Sequence, residues 1–392
     1  MKTVIWLILS VQYVYGMSLG IMRFPWSTGG FPENSQTIMQ TMVITPKVVI
    51  VSMFEPEAKA WTDKIQFSHN ITVPGLSPIY PDVHCTVDYS ICQVTTGEGE
   101  INAATSVSFL LASSKFDFTK SYWLLAGIAG GEPSQVSIGA VTFAKYAVQI
   151  GLQYQVAHKE IVKSHPEWPT GYFNYGTDNP WEYPDSIYGT EVFELNDNLR
   201  DRALKLSKQH ASQSLNVGDD KNRALRKLYA SPASENPQIL ACDVLTSDMY
   251  FLGKTFSEYY GNFTKMMTNN TGTYCSTAQE ENASLEALVR GSKAGMADFQ
   301  RIVVLRTISN FVRAPPSLES DPLNFFLNYP KGSLQLALDN IYIGGWPFVN
   351  DIVTNWEELY STNNFPSANY VGDIYGTLGG KPDFGKQSYH ES

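Results

Sequence analysis

Short apolar runs alternate along this chain with longer stretches whose apolar positions recur every three or four residues. Residues 47–53 (KVVIVSM), 83–94, 122–126, 138–150, 238–245 (QILACDVL), 273–277 and 299–307 (FQRIVVLRT) belong to the first kind. Runs this short, rich in Val and Ile, suit strands buried on both faces of a parallel sheet. The 83–94 run is long enough for one or two strands. Helices are predicted over 56–65, 101–111, 193–210, 220–228, 253–267, 280–290, 334–343 and 346–360. The first has Pro56 in its opening turn, where a missing N–H is harmless. Strands and helices alternating in this way predict an α/β fold with a central, largely parallel sheet. No repeat and no break in composition divides the chain. One catalytic-type domain is therefore expected over residues 46–375, with an insertion at about 155–235.

The pattern centres on residues 91–131. An apolar run stops at Thr96-Gly97-Glu98-Gly99, a helical stretch follows, and a second apolar run stops at Gly127-Ile128-Ala129-Gly130-Gly131. Glycines at strand ends let a backbone approach a ligand without Cβ clashes, and ligands of open α/β sheets bind at strand ends. Residues 163–190 stand apart, with four prolines among seven Trp, Tyr and Phe side chains. A loop of that length inside a compact domain is usually a functional lid or disordered; the aromatics argue for order, and this one is expected to cover the site. Residues 17–45 read as a variable N-terminal segment and residues 376–392 as a loose tail.

Composition narrows the partners. Hydrophobic residues make up 43% and charged residues 17%, as in a well-cored globular protein. A net charge of −10 without any basic tract argues against nucleic acid and anionic membrane. Residues 1–16 (MKTVIWLILSVQYVYG) have a signal-peptide pattern, and no later stretch reaches eighteen apolar residues. Export to the extracellular space or cell wall, with no membrane span after signal cleavage, is the expectation. Four cysteines fit an oxidising compartment; of three connectivities, Cys85–Cys92 with Cys242–Cys275 is favoured. Sequons for N-glycosylation occur at Asn70, Asn262, Asn269 and Asn282. No Cys or His spacing suits a metal, and no cofactor is expected.

The glycine segments exclude several chemistries. TGEGEIN has Asn102 where the dinucleotide fingerprint needs its third glycine, and it lacks the Lys-Ser/Thr of a P-loop. There is no GxSxG elbow and no HExxH. The predicted strand ends gather Glu55, Glu57, Thr96, Glu98, Asp248, Tyr250, Glu280, Glu281, Ser309 and Asn310, with no cation in these loops. Such a set suits a neutral polyol beside a flat ring, and suits phosphate badly.

Four motifs in order carry a family resemblance. Residues 52–58 (SMFEPEA), 96–104 (TGEGEINAA), 124–131 (LLAGIAGG) and 305–310 (LRTISN) resemble the SMFxPEA, TGxGxxNAA, LxAGIAGG and LRTxSN motifs of the purine nucleoside permease family. The likeness spans about residues 45–375 and extends to the nucleoside phosphorylase/nucleosidase superfamily. It implies a three-layer α/β/α sandwich, N-glycosidic bond chemistry on a purine nucleoside, and a site often completed in a homo-oligomer. Glu57 resembles the glutamate that activates water, with Glu55 as the nearby alternative. Glu280 or Glu281 resembles the carboxylate that accepts from the ribose hydroxyls. Tyr250 resembles the ring that stacks on the base. Asn310 stands where many relatives carry an Asp that protonates N7; an amide hydrogen-bonds there but does not deliver a proton. Thr96, Gly97, Gly130 and Ser309 complete the expected substrate-binding set. Positions where phosphorylases carry Arg and Ser or Thr hold Leu125 and Ile128. The resemblance thus implies hydrolysis, with phosphorolysis and a non-catalytic nucleoside-binding or transport-associated role as the alternatives.

Overall fold

The computed structural model describes residues 42–328 and 332–385. The expected signal peptide, almost all of the variable segment and the last seven residues lie outside them. Among the described residues the chain forms β1 (Val48–Ser52), α1 (Glu55–Thr62), β2 (His69–Thr72), β3 (Asp82–Cys85), β4 (Ile91–Thr95), α2 (Glu100–Leu111), β5 (Tyr122–Gly131), β6 (Val141–Ala144), β7 (Tyr146–Gln149), β8 (Gln153–Gln155), α3 (His158–Ile161), β9 (Tyr172–Asn174), β10 (Val192–Glu194), α4 (Asp197–Ala211), α5 (Asp220–Arg226), β11 (Ile239–Ala241), β12 (Asp243–Thr246), α6 (Lys254–Met267), β13 (Tyr274–Ala278), α7 (Glu281–Lys293), β14 (Ile302–Phe311), α8 (Pro322–Leu327), α9 (Gly332–Thr354) and β15 (Gly372–Asp373).

Two parallel blocks make up the centre of the sheet: β4–β1–β5–β14 and β7–β12–β13. Antiparallel seams join them, β13 to β5 on one side and β14 to β6 on the other. Because β6 runs into β7 across Lys145, the pairings return to β5 and close a ring. Asp243 holds the crease at Lys145: its carboxylate accepts the N–H groups of Lys145 (3.0 Å), Tyr146 (2.8 Å) and Thr273 (2.6 Å). Helices cover both faces. Along β1, Val49 and Val51 pack with Val107 and Leu110 of α2 and Leu288 of α7, while Val48 and Ile50 pack with Trp61 of α1, Leu199 of α4 and Ile341 of α9. This strict alternation is what a strand sandwiched between two helix layers requires, and the fold is the expected three-layer α/β/α arrangement.

Several boundaries differ from the sequence reading. The second glycine segment is not a loop: β5 continues through Gly131, and β14 likewise extends to Phe311. Residues 193–210 begin as strand β10 before α4, and residues 238–245 divide into β11 and β12 at Cys242. In residues 334–360 one helix runs unbroken across Gly344, Gly345 and Pro347 to Thr354 in place of the expected break, and a π-helical turn follows at Trp356–Tyr360. A Cβ on Gly344 would stand 2.7 Å from Val141, and one on Gly345 2.7 Å from Trp61, so the core packs directly on that helix backbone. Both favoured disulfides are present, Cys85–Cys92 across the β3–β4 pair and Cys242–Cys275 beside β13. Asn70, Asn262 and Asn269 are exposed, but Asn282 is buried and bonded to Thr246 and Thr190, which leaves no room for a glycan there. The stretch expected as a loose tail carries Phe384 into a buried contact with Tyr146 and Tyr370. No helix of the described residues is long and apolar enough to cross a membrane.

Candidate active site

The site forms where the sheet splits. β1 pairs with β5 only as far as Leu125, and β13 takes up the same edge only from Gly130. Between them the edge of β5 lacks a strand partner. Glu57, in the first turn of α1, fills the gap. Its carboxylate accepts the Ile128 N–H on β5 (2.7 Å) and the Met53 N–H just beyond β1 (2.8 Å). Glu55, the alternative considered from sequence, stays exposed and pairs with Lys59.

Arg306 enters from β14, opposite Gly127 in the register. A Cβ on Gly127 would lie 2.5 Å from both the Arg306 guanidinium and a Glu57 oxygen, so only glycine lets the two side chains meet above this strand. The guanidinium donates to the Ile128 carbonyl (2.8 Å), to Glu280 (3.2 Å) and to Glu281 through Nε, and stands 3.9 Å from Glu57. Glu280, at the start of α7, also accepts the Gly99 N–H from the first glycine segment (3.0 Å). All four charged side chains are buried. Burial pushes the Glu57 carboxyl up to about 7, reinforced by Glu280 and opposed by Arg306 and the two backbone donors. Burial also raises Glu281. It works against the Arg306 charge, but Glu281, Glu280 and Glu57 outweigh it and hold the guanidinium protonated. With three carboxylates against one cation, the cluster is anionic.

The opposite end of the same cavity, which encloses about 210 Å³, is neutral and aromatic. A register shift in β14 between Ile308 and Asn310 turns Ser309 and Asn310 toward it, as bulges beside sites commonly do. The Ser309 hydroxyl lies 3.1 Å from Asn310 Oδ1 and 3.2 Å from the Ala129 carbonyl. With its oxygen so engaged, the Asn310 amide presents its NH₂. Tyr250 faces it. Tyr250 as a whole is 61% exposed, yet the surroundings of its hydroxyl raise that group by desolvation, the Asn310 hydrogen bond opposing; the ring lies 5.6 Å from Phe326.

Of the residues singled out from sequence, Glu57, Glu98, Ile128, Gly130, Tyr250, Glu280, Ser309 and Asn310 line this cavity. Thr96, Gly97 and Glu281 stand behind its wall. The Thr96 hydroxyl bonds the Gly97 and Ser52 carbonyls, Gly97 takes φ +87° against Asn102, and Glu281 backs Arg306. Between the adjacent pair Glu280 and Glu281, it is Glu280 that reaches the cavity. Residues 163–190 do not line it; Tyr172 and Trp181 pack on Phe256, Tyr260 and Tyr259 of α6, and Tyr172 reaches only Met249 at the rim. The lid expectation is therefore corrected. Sequence reasoning also missed Arg306 and Thr277, which line the cavity. The available signal for Arg306 was an arginine inside a strand otherwise apolar from Ile302 to Leu305.

The chain matches the model of a family described as purine nucleoside permease over residues 45–364. A purine nucleoside permease of Candida albicans is 53% identical over 350 residues, 88% of this chain and 85% of that protein. A probable purine nucleoside permease of Schizosaccharomyces pombe is 38% identical over 333 residues, 83% of this chain and 94% of that protein. Among solved structures, a 5′-methylthioadenosine/S-adenosylhomocysteine nucleosidase of Colwellia psychrerythraea in complex with adenine is similar, with 15% identity, a TM-score of 0.48, and coverage of 79% of this chain and 96% of that one. Futalosine hydrolase of Helicobacter pylori is similar too, with 13% identity, a TM-score of 0.47, and coverage of 79% and 98%.

Proposed function

We propose that this chain, which belongs to the purine nucleoside permease family, is an exported purine nucleoside N-ribosyl hydrolase. The observation that carries this reading is the Glu57 carboxyl, raised to about 7 at the anionic end of the cavity. A buried base poised near neutral pH suits proton abstraction from water. Water attacks C1′ as the C1′–N9 bond breaks. Glu57 takes the water proton, the base leaves with the bonding electron pair, and the sugar passes through oxocarbenium character that the surrounding carboxylates favour. Glu280 accepts hydrogen bonds from the ribose hydroxyls. Tyr250 stacks on the base, and the Asn310 NH₂ donates to N7 of the departing purine anion, which solvent then protonates. The names of the relatives support a purine nucleoside as ligand, and the two disulfides support export.

Phosphate is a poor competitor for water here. Arg306 is the cavity's guanidinium, and it is already bonded to Glu280 and Glu281. A second reading, nucleoside binding without turnover in support of transport, draws on Asn310, which offers no acidic proton to the leaving base.

The test is base release from inosine, guanosine and adenosine, with and without phosphate. Phosphate-independent release of free ribose is expected, with Glu57→Gln lowering kcat roughly 10²–10⁴-fold and leaving nucleoside affinity near wild type. Ribose 1-phosphate as product would make the protein a phosphorylase. Tight nucleoside binding with no turnover by the wild type would establish the binding role.

A further inference from the structure

Two main-chain N–H groups from different strands converge on one point at the split in the sheet. Met53 offers one just beyond β1 and Ile128 the other on the open edge of β5, and the Arg306 guanidinium stands 3.9 Å from the same point. Two preorganised N–H donors beside a guanidinium are the recognition set for a small oxyanion. In this chain the point is already filled by a carboxylate on α1, whose two oxygens take one N–H each at 2.8 and 2.7 Å. Neighbouring donors are filled in the same way: Gly99 N–H by Glu280 at 3.0 Å and Glu100 N–H by Asp248 at 2.8 Å. Gly127 completes the geometry, because its missing Cβ is the space in which the Glu57 carboxylate and the guanidinium meet.

We propose that Glu57 is the built-in occupant of an oxyanion cradle made by Met53 N–H, Ile128 N–H and Arg306, and that this occupancy selects water over an exogenous oxyanion such as phosphate as the nucleophile. The inference rests on the hydrolase reading for its catalytic half. The cradle itself is independent of turnover. Truncating Glu57 at Cβ removes the carboxylate, leaves two buried N–H groups and a guanidinium facing the vacated space, and creates a demand for an anion. Formate or acetate replaces the lost carboxylate and takes the water proton. Phosphate fills the same donors and attacks C1′ itself. Its oxygen bonds C1′ as the C1′–N9 bond breaks, and the base leaves with the electron pair and is protonated by solvent.

The experiment compares wild type, Glu57→Gln and Glu57→Ala at pH 7.5 and constant ionic strength, titrating sodium formate or phosphate against chloride. Thermal unfolding and base release from a nucleoside are both followed. Glu57→Ala is expected to gain a saturable rise in Tm with formate and with phosphate. Wild type, whose carboxylate fills the cradle, is expected not to respond, and Glu57→Gln, whose amide keeps the space filled but accepts only one of the two N–H groups, is expected to respond far less than Glu57→Ala. Formate is expected to raise hydrolysis by Glu57→Ala roughly tenfold or more, part of what a general base supplies, and phosphate to yield ribose 1-phosphate. Glu57→Ser serves as the second truncation. Recovery of either truncation in folded form only when formate or phosphate is present supports the cradle. A folded truncation without a saturable anion response, an equal response in wild type, or failure of both truncations to fold in any anion overturns it. An anion-dependent Tm in Glu57→Ala with a wild type that never cleaves nucleosides would retain the cradle and remove the hydrolase reading. Turnover by the wild type with no anion response in the truncations would do the reverse.

Discussion

Among the buried carboxyls displaced upward, Glu57 and Glu194 do different work. Glu57 is raised to about 7 and Glu194 to about 8, in both cases chiefly by burial. Glu194, on β10, is held by Lys145 at 2.8 Å, by Asn369 at 2.6 Å and by the Tyr146 hydroxyl at 3.3 Å, with the Asp383 carboxyl adding to its rise. Its partners come from β7, the adjoining crease and the C-terminal segment, and it does not border the cavity. It ties the end of the chain to the sheet. Glu57 bonds the free N–H groups of a split sheet, shares one guanidinium with two other carboxylates, and borders the cavity. A displaced carboxyl is thus no sign of chemistry by itself. What separates the two is the excess negative charge and the open space beside Glu57.

The largest effect that bears on this contrast comes from removing each cation. Arg306→Met leaves Glu57, Glu280 and Glu281 without their guanidinium and is expected to cost about 3–5 kcal/mol in urea unfolding, with nucleoside cleavage lost. Lys145→Met leaves Glu194, which protonates and keeps its bond to Asn369, at a cost of about 1–3 kcal/mol. Equal losses for the two variants would break the comparison.

Activity against pH separates the two carboxyls next. Glu57 acts as a base only when ionised, so kcat/KM is expected to fall about tenfold per unit below pH 7 and to level off above it. Glu194→Gln is expected to leave that acid limb in place. Loss of the limb in Glu194→Gln would move the base to the wrong carboxyl.

The smallest effect is on stability. Both folded-state values lie above the ordinary 4.5, so the folded protein holds protons that the unfolded chain has released. The resulting stabilisation is fully present below about pH 4.5 and is lost as pH rises, through about 7 for Glu57 and about 8 for Glu194. Glu194→Gln is expected to flatten the decline in Tm between pH 7 and 8 while changing base release less than about twofold, since Glu194 and its partners do not border the cavity. An unchanged pH dependence of Tm in this variant would show that Glu194 does not titrate in that window.

Much of the architecture was legible in the chain. Val48–Ser52, Ile91–Thr95 and the first half of β5, residues 122–126, announce themselves as apolar runs, and Gly97 and Gly99 mark a turn that needs positive φ; the continuation of β5 through Gly131 did not show. Cys85 and Cys92 face each other because their hairpin register places them opposite. Family motifs pointed to Glu57, Tyr250, Glu280 and Asn310, all of which line the cavity. The choice between Glu280 and Glu281 was not legible, because adjacent residues at a helix start differ only in the direction the fold gives them. Nor was the path of residues 163–190, whose aromatic rings suit a lid and a helix surface equally well.

Most local elements follow from short-range rules, since backbone restrictions at glycine and proline and the spacing of apolar residues act within a few positions. The site follows from long-range pairing. The split between β1 and β13 on the edge of β5 depends on pairings between residues far apart in the chain. Arg306 and Glu57, separated by almost the whole domain, meet over Gly127 because β14 and α1 are brought to the same strand from opposite sides. Electrostatics in a buried space depends on distance and exclusion of water, neither of which is written at any single position.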